Sequence, residues 1–471
     1  MNPSKATLLI PVELQVRELD PKLLLACVAA QRGFPSVIGP RREMHFHIPS
    51  FPRGIYLSKS LTSGSKNVFR NLHRLGHQIV AWDEEALVHL PPDSYFKRRL
   101  SPLAIKYVSH LFAWGEDNVQ LWRQYPEMPP EMSIKITGNP RGDLLRPEMR
   151  GLYTHDVAKI RQTHGNFILV NTNFNQVNAF YPDMNILKPP ARKGQEPELS
   201  RRAVGMGMNR EYAEGLTKHK QSIFEDFKRL IPTLDRAFPD HTIVVRPHPA
   251  ENQEVYHNIA KTCRRVRVTN EGNVVPWLIA AKALIHNGCT TGVEAYALGV
   301  PTIAYRASIN EYFDNAFHRL PNQLSHECFN HDELQDTLAD VLKGKISSAN
   351  SDERQRIMEH HLAAMQGPMA CDRMVDIFEE INSMQDAAPA PPLQQRLKSR
   401  VWATRRRIKK RFKGFSADMS HNKADFLRHR YPGVSLQELR SRLDQFQQML
   451  GERTELIVEE IFHQFYRISA V

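Results

Sequence analysis

Apolar positions along this chain follow two rhythms. Short unbroken apolar runs alternate with longer stretches in which apolar residues recur every three or four positions. The runs "TLLIPV" (7–12), "FPSVIG" (34–39), "GIYLS" (54–58), "HQIVAW" (77–82), "HLFAWG" (110–115) and "SIKITG" (133–138) predict strands. Between them, "DPKLLLACVAAQRG" (20–33) predicts a helix capped by Asp20 and stopped by Gly33, and "SGSKNVFRNLHRLG" (63–76) predicts another. Continuous apolar strands separated by helices are the pattern of a parallel sheet covered on both faces. The pattern restarts at "NFILVNT" (166–172). It runs on through a long helix over roughly 211–238, then "HTIVVRP", "VRVTN", "ALIHNG" and "PTIAYR", with helices near 252–263, 275–282 and 290–298. The expected fold class is α/β, with two doubly wound Rossmann-like domains over 1–155 and 156–384. A Pro/Ala linker, "QDAAPAPPLQQ" (385–395), is expected to lead into a basic amphipathic helical tail over 396–471.

Charge changes this picture in one place. The 471 residues carry a net charge of +12. From Ala388 to Val471 there are 17 Lys+Arg against 8 Asp+Glu, and the rest of the chain holds 46 against 43. The body is therefore close to neutral and the tail is basic. The five cysteines, Cys27, Cys263, Cys289, Cys328 and Cys371, are odd in number and widely spaced, which points to a reducing compartment and to no zinc site. The N-terminus does not read as a signal peptide, and no window is long and apolar enough to span a membrane. The expected location is the cytoplasm.

Candidate chemistry collects where strands end, which is where open parallel sheets bind ligands. "VVRPHPAENQ" (244–253) ends a strand in Arg246, Pro247, His248 and Pro249. Arg offers a planar fork of donors suited to phosphate, His an adjustable one, and the prolines restrict the backbone. A strand-ending turn whose histidine satisfies local backbone is the plain alternative. "ALIHNGCTTGVEAYALGVPTIAY" (283–305) ends a strand at His286, turns through Asn287 and Gly288, and opens a helix near Thr290 and Thr291. Gly288 and Gly292 allow close backbone approach, and the helix N-terminus favours an anion. Glu294 is positioned to accept from ribose hydroxyls. The plain alternative is a capped, packed helix; two anion-binding elements at strand ends of one sheet favour phosphate. In the first domain "IVAWDEEALV" (79–88) ends a strand in Asp83, Glu84 and Glu85. Like charges at that spacing would raise one another's pKa and suit one of them to act as a general base. An acidic helix start would look the same. Further candidates at strand ends are Ser58 and Lys59, Asn171 and Asn173, and Asn322, each also explicable as ordinary loop chemistry.

These segments resemble glycosyltransferases of the B-type fold (GT-B). More closely, residues 5–385 resemble bacterial surface carbohydrate biosynthesis proteins, which look related to Kdo transferases and to sialyltransferases that use CMP-activated ulosonic acids. The resemblance implies two domains facing a cleft and a nucleotide-sugar donor. It also implies a glycan or lipid-linked acceptor and no metal or cofactor, the nucleotide-sugar being a substrate. It implies that His248 and Pro249, with Thr290 and Thr291, hold the donor phosphate. Asp83, Glu84 and Glu85 match the family's acidic motif, although Ala86 stands where a glycine is typical. Other donors (UDP- or CDP-linked), a 2-epimerase-like activity and a non-catalytic glycan-assembly role stay open as alternatives.

The tail carries its own expectation. Arg396 to Lys413 contains ten basic residues and no acidic one, with Leu393, Leu397, Val401, Ile408 and Phe412 at roughly helical spacing and Trp402 and Phe415 alongside. A basic amphipathic helix predicts docking of 396–413 to an anionic membrane surface, and apolar residues on the same helix argue against nucleic acid as the partner.

Overall fold

The computed structural model describes residues 5–471 except 191, 193, 315–317, 350, 386–390 and 414–421. Part of the expected linker, and Phe415, thus lie outside the described residues. Two compact units emerge. The first comprises Met1–Leu87, Pro92–Leu152 and Glu359–Val471; the second comprises Val88–Pro91 and Tyr153–Met358.

In the first unit, strands β1 (Thr7–Val12), β2 (Ser36–Pro40), β3 (Gly54–Ser58), β4 (Gln78–Ala81), β5 (His110–Ala113) and β6 (Ser133–Ile136) form a parallel sheet. The second unit holds β7 (Phe167–Thr172), a two-stranded ribbon of β8 (Leu187–Lys188) and β9 (Glu198–Leu199), then β10 (Thr242–Pro247), β11 (Val266–Val268), β12 (Ala283–His286), β13 (Thr302–Tyr305) and β14 (His326–Cys328). Its sheet order is β11-β10-β7-β12-β13-β14, all parallel. Counted within the unit this is 3-2-1-4-5-6, the dinucleotide-binding order, and it reverses direction between β7 and β12. The first sheet reverses between β1 and β3.

Each core follows from the apolar runs. Ile168, Val170, Ile243, Val245 and Ile285 pack against Phe224, Phe227, Leu230, Ile231 and Leu234 of the helix Arg210–Ala237, all of them buried. That helix starts where Asn209 accepts the Tyr212 N–H at 2.8 Å. In the first unit the helix Gln15–Gln31 begins five residues before the expected Asp20, because Glu18 reaches back to the N–H groups of Glu13 (2.9 Å) and Leu14 (3.3 Å). Asp20 instead pairs with Arg442.

The chain after residue 358 departs from the expected segmentation. The helix Ala370–Gln385 returns to the first unit, where Met374, Val375, Phe378 and Ile381 join its core. Asp143 accepts the Ala370 and Cys371 N–H groups at 2.8 and 2.9 Å and so caps that helix. Beyond the basic helix Leu393–Lys413, the tail is not helical throughout. β15 (Leu456–Phe462) and β16 (Phe465–Ala470) form a hairpin that adds to the first sheet antiparallel to β2, with Tyr466 opposite Ile38 and Ile468 opposite Ser36. Tyr466 and Ile468 are buried, and this burial makes the C-terminus part of the fold.

Candidate functional site

Two strand-end clusters carry the polar chemistry, one in each unit. In the second unit the sheet reverses at Asn171 on β7 and His286 on β12, which are direct neighbours in register. The next strand end, on β10, delivers the Arg-Pro-His-Pro turn. The His248 N–H donates to Thr172 O and to Glu251 Oε1, each at 3.1 Å, and its ring Nδ1 accepts the Ala250 N–H at 3.1 Å. An accepting Nδ1 puts the proton of the neutral ring on Nε2, which makes Nε2–H the donor of the ring. Behind it lies a network that sequence reading missed. Glu251 is fully buried and accepts from Thr172 Oγ1 (3.0 Å) and Tyr256 Oη (2.6 Å). Burial raises the Glu251 pKa.

Arg246 is engaged within the fold. Its guanidinium donates to the carbonyls of Glu271 (2.8 Å) and Gly272 and lies 5.4 Å from the Trp277 ring. Burial lowers its pKa to about 10. Those bonds tie the 271–272 loop to the end of β10, so the residue acts as a strut between them.

The β12 end is built around His286, which is fully buried. Its Nδ1 accepts the Gly288 N–H at 2.9 Å, so Nε2–H faces Ser325 Oγ at 2.9 Å. Burial pushes its pKa down to about 3, which keeps the ring neutral. Gly292 passes so close that a Cβ there would sit 2.6 Å from His286 Nε2. Gly288 has φ +81°, and its carbonyl accepts from His318 Nδ1 at 2.8 Å. The helix Thr290–Ala297 then opens on Cys289, whose thiol is at most a weak cap close to the Thr291 and Gly292 N–H groups, with Sγ 2.6 Å from Thr291 Oγ1. Uncapped N–H groups at a helix start attract an anion. Glu294 is buried on this helix.

Asn171, Asn287 and Asn322 each hold a buried Oδ1 with no hydrogen-bond partner. A buried polar atom left unmatched costs about 1–3 kcal/mol, so such acceptors mark a place for a ligand donor. Asn287 and Asn322 line an open pocket of about 370 Å³ together with Lys220, His318 and Arg319. Asn173 is occupied otherwise, its Oδ1 accepting from Asn175 at 2.8 Å.

The first unit's cluster departs further from expectation. Instead of repelling each other, its carboxylates alternate with cations. Asp83 is fully buried, accepts from Tyr95 Oη (2.8 Å) and Arg99 Nε (2.9 Å), and forms a second bond to Arg99. Glu84 accepts from Trp82 Nε1 at 3.0 Å and lies 3.4 Å from Lys22, while its Oε2 is buried without a partner. Glu85 pairs with Arg17 at 3.3 Å. Burial would raise the Glu85 pKa, but Arg17, Arg99 and Lys59 outweigh it and hold the group at about 2. Lys59 bridges Glu18 and Glu13, and Glu13 also meets Arg41 (2.9 Å) and Arg430 (3.1 Å). Ser58 Oγ donates to Ser60 O at 2.9 Å. Lys59 and Ser58 are therefore structural here, and Asp83 is an anchor. Among the described residues no group of three or more His, Cys, Asp or Glu is placed to hold a metal.

Asp83→Asn is accordingly expected to act on stability. Removing one partner of a buried pair costs about 3–5 kcal/mol, and the partial exposure of Arg99 puts this case near 3, roughly 6–12 °C in Tm. A variant with wild-type Tm and lost turnover would instead return Asp83 to the role of base.

No family model matches the sequence, and no curated protein matches it. Similar solved structures exist. The UDP-GlcNAc 2-epimerase of Methanocaldococcus jannaschii, in complex with UDP-GlcNAc and UDP, is 11% identical, with 79% of this chain and 99% of that one covered and a TM-score of 0.48. The wall teichoic acid polymerase TagF is 10% identical, covering 82% and 90%, also at 0.48. The UDP-GlcNAc 2-epimerase of Neisseria meningitidis is 13% identical, covering 79% and 100%, at 0.47. At these identities and scores no chemistry transfers from those proteins to this chain.

Proposed function

We propose that this protein is a nucleotide-sugar-dependent glycosyltransferase of surface-glycan assembly, with its donor bound on the second unit. The observation that carries this reading is the reversal point of the second sheet. There the His248 turn after β10, and the tight Gly288 turn and helix start at Thr290 after β12, come from the two strands that flank β7. Nucleotide phosphates sit in such crevices. Positive ends of dipoles and fixed donors stabilise the charge that develops on a departing phosphate, which is the largest part of the work in this class of transfer. Glu294 suits a ribose, and the unmatched oxygens of Asn171, Asn287 and Asn322 suit hydroxyl donors. A CMP-linked ulosonic acid is the donor favoured by the family resemblance.

Of the three acidic-motif carboxylates, only Glu85 keeps its side chain substantially in solvent, at 44% exposure. For Glu85 to take the acceptor's proton, as the family resemblance implies of one carboxylate of this motif, Arg17 must release it, because the pairing holds its pKa at about 2, too low for a base at neutral pH.

The test is a thermal-shift series of the full chain against CMP, CDP, UDP, GDP and their sugars. Stabilisation by one nucleotide class is expected: RT ln(1 + [L]/Kd) gives about 2.7 kcal/mol at a hundredfold excess over Kd. CMP selectivity supports the ulosonic-acid donor, while UDP or CDP selectivity keeps the transferase and replaces the donor. No response to any nucleotide removes the reading. Glu85→Gln is expected to keep the shift and slow transfer about 10²-fold, and full turnover in that variant would reassign the base.

The acceptor side of the proposal is a membrane. No helix among the described residues is long and apolar enough to cross one. The helix Leu393–Lys413, however, buries Ser399 and Ala403 against the first unit, and Arg42 donates to Lys410 O at 3.1 Å. Leu393, Leu397, Val401, Ile408 and Phe412 are exposed on its opposite side. At 100° per residue this apolar stripe is flanked by Arg400, Arg407 and Arg411 on one side and by Lys398, Arg405 and Lys409 on the other. Trp402 lies towards the docked side and is only half exposed. An apolar stripe between two basic rows fits an anionic lipid surface.

A further inference from the structure

The pocket beside the Gly288 turn contains a cation that the donor reading has not used. Lys220, on the long helix Arg210–Ala237, directs its ammonium at the ring of His318, Nζ to Nε2 at 2.8 Å. His318 Nδ1 in turn donates to Gly288 O at 2.8 Å. One ring cannot accept at both nitrogens of this chain. The carbonyl demands a proton on Nδ1, so Nε2 is the acceptor and the ring is neutral. The ammonium is therefore held in place by an uncharged group, with no carboxylate within ion-pair distance among the described residues. Lys220 has two further N–H donors, and the pocket it lines also holds Asn287 and Asn322, whose buried Oδ1 atoms lack any partner. Asn322 is 7% exposed. A positive donor and two unmatched acceptors share one cavity, and a hydrogen-bonded chain ties it to the turn that opens the anion-binding helix.

We propose that Lys220, Asn287 and Asn322 form a second subsite, next to the nucleotide phosphate, which takes an oxyanion carried by a hydroxylated group. The oxyanion meets the ammonium, and ligand O–H or N–H groups meet the two amide oxygens. This rests on the donor reading for its neighbour but not for its own chemistry. The oxyanion has two possible sources, the second phosphate of a nucleoside diphosphate or a carboxylate on the sugar.

The two carboxylates that line the cavity, Asp314 and Glu327, already have partners. Asp314 accepts from His219 Nε2 at 2.8 Å, and Arg306 pairs with Glu327. Arg319 lies on the exposed rim. Burial lowers the Lys220 pKa to about 8, with Asp314 opposing it, and burial lowers that of His318 to about 3. The signs follow. Oxyanion affinity should be full well below pH 8 and fall about tenfold between pH 7 and 9 as the ammonium is lost. Unliganded stability should move the other way from Lys220, rising with pH between about 8 and 10.5, because the unfolded chain keeps that proton longer.

The experiment is calorimetric titration of the full chain and of Lys220→Met with UMP, UDP, UDP-glucose and UDP-glucuronic acid, and with the CMP and CDP counterparts. Lys220→Met removes a desolvated charge and keeps the stem, so it should fold. At least a tenfold loss for UDP with UMP unchanged identifies the oxyanion as the second phosphate. A loss confined to UDP-glucuronic acid identifies it as a sugar carboxylate. Either supports the subsite, as does a flat affinity profile between pH 7 and 9 in the variant. Asn322→Ala should weaken only sugar-bearing ligands. Unchanged affinities throughout, or an equal loss for UMP and every other ligand, overturn the proposal. Inorganic pyrophosphate and free glucuronate separate it from the donor reading. If no nucleotide binds but either ion stabilises the wild type and not Lys220→Met, the subsite stands and the transferase does not. If neither ion nor any nucleotide does so, both fall.

Discussion

Gly288→Ala should abolish the nucleotide response and lower Tm. The residue has φ +81°, and a Cβ there would lie 2.5 Å from His318 Nδ1. That ring has little room to retreat, since it bonds the Gly288 carbonyl on one side and Lys220 on the other. The left-handed conformation costs a non-glycine residue about 1–2 kcal/mol and the overlap about 1–3 more. Relief of the overlap must move the turn, and with it the start of the helix Thr290–Ala297. Thermal unfolding and nucleotide titration of the same variant separate the two effects. An alanine variant that keeps wild-type Tm and wild-type nucleotide affinity would show that neither the close approach nor the turn matters.

The second large effect concerns the basic helix. Full-length protein is expected to float with vesicles containing anionic lipid, whereas Leu397→Glu, Val401→Glu and Ile408→Glu combined should stay behind. All three positions are half exposed, so folding should be spared. Each substitution removes about 1 kcal/mol of apolar burial in the interface and sets an acid against the leaflet at about 1 kcal/mol more. The sum predicts at least a hundredfold weaker partition, with all ten basic residues between Arg396 and Lys413 still present. Equal binding by the variant would reduce the attraction to charge alone. Retention of RNA by both proteins at physiological salt, with no vesicle binding, would replace lipid by nucleic acid.

Much of this was legible in the chain itself. β7, β10 and β12 announce themselves as apolar runs because both faces of a parallel sheet are covered. The loop after β12 could be placed because a strand, a glycine and a helix start follow at close spacing. What could not be read is orientation. Arg246 sits at a strand end as expected, but Trp277 and two carbonyls from the 271–272 loop, 25 or more residues on, decide where it points. The acidic triplet misled for a related reason. Its partners Arg17, Lys22 and Arg99 come from other segments, and spacing along the chain does not reveal them. The C-terminal hairpin was hidden by its turn. Gln464 adopts φ +63°, where glycine or asparagine would have flagged the reversal. Its side chain compensates by bonding Val434 N at 2.8 Å and Val434 O at 3.2 Å.

That hairpin also sets an order of events during synthesis. β2 is an interior strand of the first sheet only once β16 has paired with it. Ribosomes add about 5–20 residues per second. Roughly 15–60 s therefore pass between the emergence of Leu152 and that of Ala470. All of the second unit except Val88–Pro91 is made in that interval and can close its own sheet, while the edge of β2 waits unpaired. An unpaired edge is a template for another strand. The first unit is thus most exposed to mispairing on nascent chains, and a chain released early, however intact its second unit, would carry that open edge permanently.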